Sequence, residues 1–132
     1  RKDAVAGDVV ASMLDEDPEK VFKTLVTQAN TKEYLVFMLP VDHELDLKKA
    51  AALAGVKKVE MIPVKDITKI TGYVRGGCSP LAMKKKFRTH INESVLNKDF
   101  IYFSGGKIGL QIKLEPMKII QLLDIQVGDI IK

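Results

Sequence analysis

Val21-Phe22-Lys23-Thr24-Leu25-Val26-Thr27, then the turn residues Asn30-Thr31-Lys32, then Glu33-Tyr34-Leu35-Val36-Phe37-Met38-Leu39: this stretch decides the fold. The first run alternates. Val21, Lys23, Leu25 and Thr27 share one face, while Phe22, Thr24 and Val26 share the other. Two such runs joined by a short polar turn predict an antiparallel hairpin. Pro40 ends the second strand because it has no N–H for a ladder. Lys23 projects from the hairpin beside large apolar neighbours. A lysine in that setting either snorkels to water from an edge or meets an anion at a cleft.

Working outward, residues 45–54 combine high helix propensity with Asp46 as an N-cap and Gly55 as a C-terminal stop. Residues 57–61 read as a brief extended segment. Residues 63–70 predict a second helix with Val64, Ile67 and Ile70 on one side. Residues 87–91 predict a strand in which Arg88 and His90 oppose Phe87, Thr89 and Ile91, with His90 expected to be solvated or, as the alternative, to touch an RNA phosphate. His43, in a loop after Pro40-Val41-Asp42, is expected at the surface. Residues 94–98 read as a turn or short helix. The near-continuous apolar run 99–103 predicts a central strand, followed by a strand over 109–114, a helix over 117–123 opened by Glu115-Pro116, and a short strand within 127–131. Towards the N-terminus, residues 7–14 read as a short helix, and Asp17 caps a turn with Pro18 at its first position. No repeat or linker composition divides the chain, so one α/β domain over residues 1–132 is expected. The sequence begins without Met, and a natural N-terminal segment is expected to be missing.

The 132 residues are 46% apolar and carry a net charge of +4. That length and composition suit a single core and exclude a disordered tail. No apolar run reaches the length of a membrane span, and none reads as a signal peptide. One cysteine makes no disulfide framework, and Cys78, His43 and His90 are too few for a zinc site. A cytosolic protein without metal or cofactor is therefore expected. Charge is unevenly placed: nine basic and two acidic residues lie between Lys57 and Arg88, against three basic and six acidic in residues 1–22. Such a concentrated basic field fits a polyanionic partner, RNA or a nucleotide, or else a solvated lysine-rich face. With three Tyr, five Phe and no Trp, an aromatic platform for single strands is poorly supported.

Within that basic field lies Gly72-Tyr73-Val74-Arg75-Gly76-Gly77-Cys78-Ser79-Pro80. Glycines permit close approach of another molecule, and Pro80 restrains Ser79. The loop reads either as a tight turn or as a cradle of backbone N–H groups for a carbonyl oxygen or phosphate. Ser104-Gly105-Gly106-Lys107 repeats the combination of hydroxyl and amides. Brought together, the two loops would make a donor-rich pocket able to stabilise an oxyanion. No Ser-His-Asp constellation is visible, and nothing at motif spacing would activate Cys78 as a nucleophile. Lys84, Lys85, Lys86 and Arg88 suit phosphate contacts.

The ordered set Phe22-Lys23-Thr24-Leu25, Leu45-Asp46-Leu47-Lys48-Lys49, Lys57-Lys58-Val59-Glu60-Met61, Thr71-Gly72-Tyr73, Gly76-Gly77-Cys78-Ser79-Pro80-Leu81 and Ser104-Gly105-Gly106-Lys107 closely resembles the YbaK/EbsC family of aminoacyl-tRNA deacylases. Members are also described as prolyl-tRNA synthetase-associated editing domains. The resemblance runs from about Gly7 to the end and is greatest to the YbaK branch, which clears cysteine from mischarged proline tRNA. It implies an α/β fold whose mixed, mostly antiparallel sheet curves into a partial barrel with surrounding helices.

The resemblance also implies trans-editing of Cys-tRNA(Pro) without a metal. Lys23 would contact the terminal adenosine or ester region, the Gly76 backbone would face the scissile carbonyl, and Ser104 would complete the catalytic set. Thr24, Thr71, Gly77, Ser79, Pro80, Gly105 and Gly106 are expected to line the substrate, with Lys84, Lys85, Lys86 and Arg88 on tRNA. In this branch the substrate's own thiol attacks its ester, which asks the protein for positioning and oxyanion stabilisation. Two departures stand out. Relatives carry a further helix and strand before Gly7, and they commonly have Arg where this chain has Ile108. The resemblance also implies prolyl-tRNA synthetase as a partner. Two alternatives stay open: a non-catalytic module binding tRNA or a synthetase, and an Ala-tRNA(Pro) deacylase.

Overall fold

The computed structural model describes residues 17–63, 66, 87–104 and 111–132. Asp17 accepts a hydrogen bond from the Glu19 amide and caps a 3-10 turn over Pro18–Lys20. The hairpin follows as expected: β1 (Phe22–Ala29) pairs antiparallel with β2 (Tyr34–Pro40) from Phe22 opposite Pro40 to Gln28 opposite Tyr34. Between them Lys32 takes a positive φ of 78°. Helix α1 (Leu47–Ala54) begins at Asp46, whose carboxylate accepts from the Lys48 and Lys49 amides at 3.0 Å each. Gly55 ends it in the left-handed region at φ 75°, where a side chain would be strained.

Next come β3 (Val59–Met61), β4 (Arg88–Asn92), a 3-10 turn over Glu93–Asn97, β5 (Ile101–Ser104), β6 (Gln111–Leu114), α2 (Pro116–Leu123) and β7 (Gln126–Gly128). The five-stranded sheet has the order β3-β1-β2-β4-β7, and β5 and β6 form a second sheet. β3 and β2 flank β1 antiparallel, whereas β4 joins β2, and β7 joins β4, in parallel. β5 and β6 are antiparallel. The architecture is thus the expected mixed α/β one, with an open five-stranded sheet among the described residues. The expected helix 7–14 lies outside those residues, as does most of the helix expected over 63–70.

Each sheet face has its own core. Leu25, Ala29, Leu35, Phe37 and Leu39 meet Ala50, Ala51 and Ala54 of α1, together with Leu45 and Ile130. The small alanines let α1 lie close to the sheet. Phe22, Met38 and Ile91, on the opposite face, meet Ile101 and Phe103 of β5 and Ile119 of α2. The run 99–103 was expected to form a central strand. Instead β5 lies in the two-stranded sheet: Ile101 and Phe103 are fully buried, while Phe100 and Tyr102 remain partly exposed.

His90 is a second correction, since it is fully buried rather than solvated. β4 lies between β2 and β7, and both of its faces are covered. The imidazole stacks on Phe37 with centroids 4.6 Å apart, and its Nδ1 lies 3.0 Å from the Val36 carbonyl oxygen. A carbonyl only accepts, so Nδ1 carries the hydrogen. Nε2 makes no hydrogen bond of ordinary geometry among the described residues. Burial pushes the His90 pKa below its usual value, against the opposing influence of the Val36 carbonyl, Glu33 and the Gln126 side chain, and with Arg88 adding to the depression.

The unfolded chain takes up the His90 proton first as pH falls below about 6.5, and the folded chain resists it. Stability is therefore full above that pH and is lost between there and the depressed native pKa, by up to about 1.4 kcal/mol per pH unit. Urea midpoints compared at pH 7.5 and 5.5 should show the loss, and the His90→Gln variant should show a flatter profile. Equal slopes in the two proteins would rule out His90 as the source.

Candidate active site

An unusual edge of β1 positions the candidate residues. Thr27 to Ala29 pair with β3 on the side away from β2. Val21, just ahead of β1, makes an isolated parallel bridge to Tyr102. β3 thus takes the Thr27–Ala29 end of this edge, and β5 meets its start through the Val21 bridge. β1 and β5 stay in contact beyond the bridge. Lys23 and Ser104 each lie two residues past it, so the parallel alignment brings their backbone positions abreast. Strand alternation alone could not have placed these two residues together, because they are 81 positions apart in the chain.

Lys23 is partly exposed and opposes Leu39, so it lies on the sheet face that carries Leu25 and Phe37. Thr24 opposes Met38 and projects to the other face, towards β5 and α2. The two adjacent residues therefore cannot present their side chains to one substrate group from the same face. The Thr24 hydroxyl oxygen is buried and has no hydrogen-bond partner among the described residues. Thr27, by contrast, donates from its buried hydroxyl to the Leu35 carbonyl at 3.0 Å. An unmet buried hydroxyl costs on the order of 1–3 kcal/mol, which makes Thr24 a donor in want of an acceptor.

Arg88 is engaged within the fold. Its Nε and Nη2 donate to the two Glu33 carboxylate oxygens at 2.8 and 2.9 Å, and Nη1 donates to the Ala54 carbonyl at 3.1 Å. It thereby ties β4 to the end of α1 and to the hairpin turn. The Arg88 hydrogen bonds hold the Glu33 carboxyl below its usual pKa. Gly76, Gly77, Ser79, Pro80, Thr71, Gly105, Gly106, Lys84, Lys85 and Lys86 all lie outside the described residues. His43 is half-buried, with Nε2 2.8 Å from Glu19 and 3.8 Å from Asp42. These three side chains gather their potential ligand atoms within 4.8 Å of one another. Within the cluster His43 and Glu19 are already in hydrogen-bond contact with each other.

What sequence reasoning missed is the surface of β5. Phe100 and Tyr102 meet edge to face at 5.6 Å, and the Lys20 and Lys113 ammonium groups sit 4.4 and 4.0 Å from the Phe100 ring centroid. The signal was present: positions 100 and 102 alternate with the buried 101 and 103.

The family model described as "Aminoacyl-tRNA editing domain" matches residues 3–122. EbsC of Enterococcus faecalis, whose name proposes a Cys-tRNA(Pro)/Cys-tRNA(Cys) deacylase, is 43% identical over 129 residues, spanning 98% of this chain and 79% of that protein. Proline--tRNA ligase of Syntrophotalea carbinolica is 33% identical over 72 residues, 54% of this chain but 13% of the ligase. The crystal structure of a hypothetical protein superposes with a TM-score of 0.90 over 100% of this chain and 87% of that one, at 21% identity, a likeness of fold. A family match over most of the length and a relative similar nearly end to end leave one assignment: the chain belongs to the aminoacyl-tRNA editing domain family.

Proposed function

We propose that the chain is a trans-editing hydrolase that cleaves the ester of a misacylated tRNA, with cysteine on proline tRNA as its substrate. The observation that carries this reading is the parallel bridge between Val21 and Tyr102, which aligns the Lys23 backbone with that of Ser104 along the β1 edge. Both residues belong to the set expected to meet the aminoacyl ester. Family membership and the similarity to EbsC supply the substrate class.

The chemistry asks little of a protein nucleophile. The substrate sulfur attacks its own carbonyl carbon, a carbon–sulfur bond forms, and the carbon–oxygen bond to the ribose breaks. The thiol proton ends on the released ribose hydroxyl. Lys23 supplies a positive charge beside the oxygen that becomes negative, and backbone amides of the glycine loop supply donors. Holding thiol and carbonyl in a reactive geometry supplies the rest of the acceleration. Prolyl-tRNA synthetase is the proposed partner that releases the mischarged tRNA, in keeping with the similarity to part of a proline--tRNA ligase.

The test is loss of ester from cysteine-, alanine- and proline-charged proline tRNA, with the chain in catalytic amounts. Loss of cysteine alone is the expected result. Loss of alanine instead would move the substrate to the alanine branch and require water as the nucleophile. If none is lost but charged tRNA is bound, the chain is a binding module.

A further inference from the structure

Two lysines from different elements converge on one aromatic ring beside the candidate active site. Lys20 comes from the 3-10 turn immediately before Val21, and Val21 bridges to Tyr102. Lys113 lies opposite Tyr102 in the β5–β6 register and therefore on the same face. Phe100, two residues before Tyr102, shares that face. The Lys20 and Lys113 ammonium groups lie 4.4 and 4.0 Å from the Phe100 centroid, and Lys113 lies 6.0 Å from that of Tyr102. Cation–π contact holds flexible lysine heads in place over the rings. Lys20 is partly neutralised by Asp99 at 3.6 Å. Lys113 is exposed and has no ion pair among the described residues. The result is a surface of two rings and two cations, one of them uncompensated, on the strand that ends at Ser104.

We propose that Lys20, Phe100, Tyr102 and Lys113 form a binding platform for the unpaired end of the RNA whose ester the neighbouring site cleaves. This rests on the hydrolase reading for the identity of the RNA, but not for the binding itself. Unpaired nucleotides present phosphates that draw the ammonium groups off the Phe100 ring and base faces that stack on the ring so uncovered, and a platform of this composition meets both needs. A duplex hides its base faces, and an acidic peptide has charge without planar rings, so neither uses both halves of the surface. The direction also fits: a strand laid along β5 runs towards Ser104 and Lys23, where its terminal ester is to be cleaved.

The experiment is fluorescence anisotropy of a short, labelled, uncharged single-stranded RNA, titrated at several salt concentrations with the full chain and with Phe100→Leu and Lys113→Ala. Phe100→Leu, which keeps apolar bulk, is expected to weaken binding roughly tenfold with an unchanged salt slope, through loss of base stacking. Lys113→Ala is expected to reduce the slope of log affinity against log salt by about 0.7, the value for one phosphate contact on a single strand. Lys113 is exposed, so that variant keeps the test sound even if Phe100→Leu fails to fold. Wild-type affinity and slope in Lys113→Ala would overturn the platform, as would binding of duplex RNA or an aspartate-rich peptide as tight as that of the single strand. The two readings fail separately. RNA binding that is sensitive to these variants, without ester loss from any charged tRNA, keeps the platform and removes the hydrolase. Ester loss at wild-type KM in both variants does the reverse.

Discussion

Replacing Lys23 with Ala is expected to lower ester hydrolysis by roughly a hundred- to a thousandfold, the usual effect of removing one charged or hydrogen-bonding group from a developing oxyanion. The fold should survive. Lys23 is partly exposed at an edge of β1, between the β3 pairing and the Tyr102 bridge, and does not belong to either large apolar cluster. Truncating it removes a charge without opening a cavity. The measurement pairs initial deacylation rates on cysteine-charged proline tRNA with a thermal melt. An unchanged melt with the activity gone places Lys23 at the chemistry. Lys23→Arg adds a second discrimination: it keeps the charge but moves it and broadens it into a fork. Recovery in Lys23→Arg would mean that charge at that place suffices, whereas loss would mean that the compact ammonium must sit at one position. Full activity in Lys23→Ala would remove Lys23 from the mechanism.

Phe37→Ala is expected to cost about 3–5 kcal/mol of stability, the range for emptying a buried aromatic site. Phe37 is fully buried in the centre of β2, opposite Leu25 on one side and His90 on the other. Its ring does two jobs there. It fills the space between the sheet and the alanines of α1, and it covers one face of the buried imidazole at 4.6 Å. The small side chains of α1 cannot expand into the vacancy, so collapse is limited and the cavity term is large. Against a typical total of about 5–15 kcal/mol, the variant should unfold at a much lower urea concentration. It should also lose part of the pH dependence assigned to His90, because water admitted beside the ring eases its protonation. A urea midpoint shifted by the equivalent of less than about 1 kcal/mol would mean that Phe37 does not anchor this core.

Local patterns foretold much of the chain's secondary structure. The hairpin, the Asp46 and Asp17 caps, the Gly55 stop and the helix after Glu115 all follow from interactions within a few residues, so their signals lie within a few residues. His90 and residues 99–103 were misjudged for a shared reason: burial depends on what packs from elsewhere in the chain. His90 looked solvated because it alternates with Thr89 and Ile91, but a strand flanked by β2 and β7 and covered on both faces has no solvent face. The run 99–103 looks central because it is apolar from Phe100 onward, yet half of that apolarity serves an outward face bearing Lys20 and Lys113.

The candidate site divides in the same way. Its residue types and the family they resemble could be read from the sequence, since glycine, hydroxyl and lysine motifs in a fixed order are a property of the chain itself. That same chain dictated the hairpin, because a period of two with a polar turn has one low-energy pairing. Only the tertiary structure decided that the Thr24 hydroxyl is buried, that Arg88 donates to Glu33 and Ala54, and that Lys23 comes abreast of Ser104. The last of these follows from the parallel bridge between Val21 and Tyr102, beside which Ile101 and Phe103 bury against Phe22 and Met38 of the hairpin, a contact between segments some eighty residues apart that no local pattern encodes.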